Sequence, residues 1–142
     1  MGRSVIAVLA GIVVGMITIS VIQMLGHMIY EMPANLNVED KVAMAAYMET
    51  IPVGSLLMVL LSYASGAFLG GLVAARIAMN KRILHAMIIG VLLLLAGIAN
   101  FMMLPHPTWL LVGSLISFIL MAYLGGLTGR RLGGKGSGVL MG

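Results

Sequence analysis

Residues 4–28 read SVIAVLAGIVVGMITISVIQMLGHM. No Asp, Glu, Lys or Arg interrupts them. An α-helix needs about 20 mostly apolar residues to cross the hydrocarbon of a bilayer, so this stretch predicts a membrane-spanning helix. The apolar core of a cleaved signal peptide is shorter, about 7–15 residues, which makes an uncleaved first span the better reading. Three further runs have the same character, and the spans are placed at 4–28, 52–76, 84–104 and 108–129.

Composition agrees. The 142 residues are 61% hydrophobic and 8% charged, with mean hydropathy +1.14. A soluble domain carries about 25% charged residues, and so few charges cannot cover a water-facing surface. The expected fold is an all-α integral membrane protein: a single domain, 1–142, built as a four-transmembrane-helix bundle. The breaks between spans have local causes. Asn80, Lys81 and Arg82 separate the second span from the third, and Pro105-His106-Pro107 separates the third from the fourth. Proline at 107 disfavours helical backbone at His106.

The charges set an orientation. Arg3, Arg76, Lys81, Arg82, Arg130, Arg131 and Lys135 fall on one side of this threading. Lys41 falls on the other with all four acids, Glu31, Glu39, Asp40 and Glu49. Cytoplasmic loops of membrane proteins are enriched in Lys and Arg, so both termini are expected in the cytoplasm. The net charge of +4 and pI near 9.9 then follow from topology, and no nucleic-acid partner is expected. The partners expected are the lipid bilayer and either further copies of the chain or a larger membrane complex.

The outer loop, 29–51, predicts a short, loosely amphipathic helix capped by Asn37, with Glu39 and Asp40 in its first turn, lying on the membrane face or over the mouth of the bundle. The tail, 130–142, contains GGKGSG and reads as flexible. It is no phosphate loop, because Gly136 stands where Ser or Thr is required.

Small residues recur at helical spacing: Ala7, Gly11 and Gly15; Ser62, Gly66, Gly70 and Ala74; Gly125 and Gly129. In lipid, close backbone approach over such residues is what holds helices together. Ser20, Gln23, His27 and Glu31 form a second, polar stripe, roughly opposite the glycine face of the first span. Gln, His and Glu are costly against lipid and face protein or water. Two opposed faces needing cover predict a homo-oligomer. With Asn100 they also predict a polar vestibule open to the outside.

Chemistry is harder to read. Met24, His27, Met28, Glu31 and Met32 share a helix end, with Met44, Met48, Met102, Met103 and His106 expected at the same level; of these, Met24, His27, Met28, Glu31 and His106 are the candidate ligands for copper or zinc, since thioether and imidazole suit soft ions. Yet the chain holds 14 Met, and Met commonly fills irregular apolar gaps. No cofactor is expected. No nucleophile with a base, and no paired carboxylates at a common site, can be placed, so the chain is read as non-enzymatic. The primary reading is an accessory or scaffolding subunit that associates through its small-residue faces. The alternatives are a channel or carrier for a small solute entering the vestibule, and an outer-face metal binder.

Three segments, LGHMIYEMP at 25–33, GGLVAARIA at 70–78 and LAGIANFMMLPHP at 95–107, resemble a group of small uncharacterised bacterial inner-membrane proteins. The resemblance implies a bacterial plasma (inner) membrane location and brings no activity with it.

Overall fold

Long apolar runs without the alternation of a strand should fold as helices in lipid, because only a helix satisfies its own backbone there. A computed structural model describes the backbone of residues 1–138 and side chains as far as residue 133. It contains α1 (Gly2–Ile29), α2 (Lys41–Thr50), α3 (Val53–Ile77), α4 (Arg82–Met103) and α5 (Thr108–Gly138). Among the described residues there is no strand. Four helices are long and apolar enough to cross a membrane, which makes this a multi-pass membrane protein by length and composition.

Each helix ends for a local reason. α3 stops at Ile77, and the chain turns through Asn80 and Lys81. Lys81 adopts a left-handed conformation, φ 49°, a region that costs an L-residue about 1–2 kcal/mol. α4 ends before Pro105, and the Pro107 carbonyl then accepts from the amides of Leu110 and Leu111, opening α5.

Three expectations need correction. The short outer helix is capped by Asp40, whose Oδ1 accepts from the amides of Val42 and Ala43, while Asn37 Oδ1 only closes a turn onto Glu39. A side chain caps a helix only when its own backbone stands at the boundary, and the turn at Asn37 moves that boundary three residues on. α1 ends at Ile29, with Tyr30 as its C-cap, so Glu31 drops off the polar stripe. The backbone of residues 130–138, read as tail, continues α5; residues 139–142 lie outside the described residues.

Packing is organised around α3, which meets α1, α4 and α5, whereas among the described residues α1 and α5 do not meet. α1 and α3 run antiparallel with their glycines facing. A Cβ on Gly11 would sit 2.7 Å from the Gly70 carbonyl, and one on Gly70 equally close to that of Gly11. Gly15 and Gly66 repeat the arrangement one turn away, at 3.1 and 2.8 Å. α3 and α5 run in the same direction, with Gly125 against the Phe68 carbonyl and Gly129 against that of Leu72. The core lies between α3, α4 and α5, where Tyr63, Ile89, Leu93, Leu110 and Phe118 are buried. α2 makes no such backbone approach and rests on the rest of the chain through side chains, chiefly the buried Met44.

Candidate functional site

Polar side chains from three apolar helices converge on one point. Gln23 of α1 donates from Nε2 to Ser62 Oγ of α3 at 3.3 Å, and Ser62 donates to the Val59 carbonyl at 2.6 Å. Asn100 of α4 donates to the Tyr63 hydroxyl at 3.0 Å, and Gln23 faces that hydroxyl too. Tyr63 is held by aromatic neighbours: Phe101 meets it edge-on at 6.1 Å, and Phe118 tilts against it at 5.0 Å. A polar group without a partner is costly in an apolar layer, and this network supplies partners across helices.

Two cavities share Gln23, Tyr63 and Asn100 as lining. The first, about 180 Å³, lies toward the acidic end and is walled by His27, Ser55 and His106, with Met44, Tyr47 and Met48 of α2 over it. The second, about 190 Å³, extends past Ser20 to Leu93, Gly97 and Phe118. Gly97 belongs there for steric reasons: a Cβ would lie 2.7 Å from the Phe118 ring. Each cavity far exceeds the room one water needs, about 10–15 Å³. The tight Gly15–Gly66 and Gly11–Gly70 contacts follow along α1 toward the basic end.

His106 is oriented at the mouth. Its Nδ1 lies 2.7 Å from the Leu104 carbonyl, and Phe101 meets its ring edge-on at 4.8 Å. With Nδ1–H donating to that carbonyl, Nε2 is left as the lone-pair nitrogen.

The structure sorts the residues singled out from sequence. Ser20, Gln23, His27 and Asn100 all line the two cavities. Glu31 is exposed beyond α1. Met24 and Met28 are 65% and 68% exposed and line neither cavity, whereas Met32, Met44, Met48 and Met58 line the first. Of the methionines expected at this level, Met32, Met44 and Met48 share the first cavity with His27 and His106, joined by Met58, while Met24, Met28, Met102 and Met103 do not line it. Among the described residues, no three His, Asp or Glu side chains gather as a metal site. The glycine face of α1 and the residue Gln23 are both met by α3 of the same chain. Ser20 and His27 of the same stripe are exposed, so the chain covers the glycine face and only part of the polar one.

Tyr63 is the residue that sequence reasoning missed. Its signal was present: Tyr favours the membrane interfaces, and one well inside a span must find a partner for its hydroxyl. No family model, curated protein or solved structure matches the chain.

Proposed function

We propose that this is a non-enzymatic protein of a bacterial plasma (inner) membrane, a four-helix bundle with both termini cytoplasmic, whose working part is an outward vestibule holding a small, partly apolar solute. The observation that carries this reading is the sharing of Gln23, Tyr63 and Asn100 between the two cavities. Those side chains would be costly facing lipid, and here they offer donors and acceptors to whatever enters. The cavities are below the usual range for drug-sized ligands, about 300–1,000 Å³, which favours a small solute. The tight Gly15–Gly66 and Gly11–Gly70 contacts lie toward the basic end, so a carrier or receptor suits the cavities better than an open pore. The Lys and Arg bias sets its opening toward the outside.

Cysteine accessibility tests the reading, and the chain has no native Cys. Ser55→Cys and Ser20→Cys should react with a small, membrane-impermeant thiosulfonate added to intact cells, while Ile89→Cys should not. Equal protection of all three positions would remove the vestibule. A thermal-shift screen of small solutes, with Asn100→Leu as the blind control, would then identify the occupant.

A second reading keeps the chain as an accessory subunit, with a changed docking face. The small residues are used within the chain, but the span of α1 is the least buried of the four at 17%. It presents Val13, Met16, Ile17 and Val21 outward. A partner helix would dock there. Native mass spectrometry from membranes distinguishes the two: a stoichiometric partner lost in Ile17→Ser would favour docking.

A further inference from the structure

The end of the molecule opposite the vestibule carries cations, and no Asp or Glu side chain stands there in the sequence. All four Asp and Glu side chains lie between residues 31 and 49, before α3 begins. The α3–α4 turn lies at the far end of α3, 25 residues long, or roughly 37 Å at helical rise. Lys81, Arg82 and Arg130 nevertheless line one cavity of about 410 Å³ at that turn. Cations gathered without carboxylates attract anions from outside the chain.

One of the three is already positioned. Arg82 donates from Nε to the Ala78 carbonyl at 3.0 Å and from Nη1 to the Arg130 carbonyl at 3.2 Å. It lies over Gly133, where a Cβ would come within 2.6 Å of Nη1. A guanidinium held this way keeps further N–H groups for an acceptor and loses less freedom on binding one. The rest of the lining includes apolar Met79, Ile83 and Leu84, with Met79 and Leu84 64% and 51% exposed. Cations beside exposed apolar side chains, at the end of four lipid-spanning helices, match a molecule with a phosphate and an acyl chain. Free phosphate would leave the apolar half of the lining unused.

We propose that this cavity is a binding site for an anionic phospholipid, with Lys81, Arg82 and Arg130 holding its phosphate. The test uses the full-length protein in nanodiscs of mixed phosphatidylglycerol and phosphatidylcholine, released for native mass spectrometry. The wild type should retain phosphatidylglycerol in preference to phosphatidylcholine. The double variant Lys81→Asn/Arg130→Gln should retain it about 25-fold less, at about fivefold per cation removed, with phosphatidylcholine unchanged. Neither substitution should disturb the fold: Asn tolerates left-handed backbone, and Arg82 uses only the Arg130 carbonyl. Helical circular dichroism and the melting temperature check this. A folded double variant that keeps the lipid, or a wild type that retains both lipids equally, would overturn the site. Displacement of the lipid by millimolar inorganic phosphate would overturn the lipid as occupant. The wild type gives an independent reading. The preference should fall as salt rises from about 0.1 to about 1 M, where the screening length drops from about 10 to about 3 Å, and a preference that survives would count against phosphate recognition.

Discussion

At the residue scale, the glycines divide by what stands opposite them. A Cβ on Gly70 would lie 2.7 Å from the Gly11 carbonyl and 3.0 Å from Ile89 Cγ2, whereas one on Gly113 meets nothing nearer than Leu60 Cδ1 at 3.7 Å. Gly70→Ala should therefore cost about 1–3 kcal/mol through overpacking. Gly113→Ala should be neutral or stabilising by less than about 1 kcal/mol, from helix propensity. Denaturant unfolding in mixed micelles checks both, and equal effects would show that the α1–α3 contact is looser than described. Ser114 makes the complementary case. It is fully buried, and its Oγ has no hydrogen-bond partner. An unpaired buried hydroxyl is a cost, so Ser114→Ala should raise stability by about 1 kcal/mol in the same assay. Tyr63→Phe should do the reverse by a similar amount, because it removes the acceptor for Asn100 Nδ2. The four-residue spacing of small side chains was legible in the sequence. Which carbonyl each would meet was not, because spacing defines a face and says nothing of the partner opposite.

At the element scale, α2 is the part held least. It is ten residues long, shorter than the about 12–15 residues an isolated helix needs in water. Its order therefore rests on the Asp40 cap and on Met44 and Met48 packing below it. Asp40→Ala should cost about 1 kcal/mol of local stability. Hydrogen exchange would show it as faster exchange across residues 42–50 with the spanning helices unchanged. If exchange changed everywhere or nowhere, α2 would not be a separately held cover for the vestibule. The sequence revealed that a short helix would stand in this loop and on which side of the spans. It misplaced the cap by three residues, since Asn37 and Asp40 carry the same chemistry and only the turn between them shows which one begins the helix.

At the scale of the whole molecule, the distribution of charge makes the strongest statement. In intact cells, a membrane-impermeant maleimide should label Glu39→Cys and spare Arg131→Cys, and permeabilisation should expose both. Reversed labelling would invert the orientation and put the vestibule on the cytoplasmic side. The two ends differ in what they carry: the acidic end holds the cavities around Tyr63, and the basic end holds Lys81, Arg82 and Arg130.

The sequence by itself determined the number of spans, their approximate limits and the segregation of charge, because hydropathy and the cost of charge in hydrocarbon act on each segment separately. Ser20, Gln23, His27 and Asn100 stood out as polar side chains in apolar runs, and each lies on one or both of the two cavities. Only the tertiary structure decided what they face. It set Gln23 against Ser62 and Asn100 against Tyr63, left Met24 and Met28 outside the cavity that Met44 and Met48 line, and used the glycine faces inside one chain. Those outcomes depend on how helices distant in sequence rotate and pair, and rotation is chosen by the fit of side chains across an interface that no single helix contains.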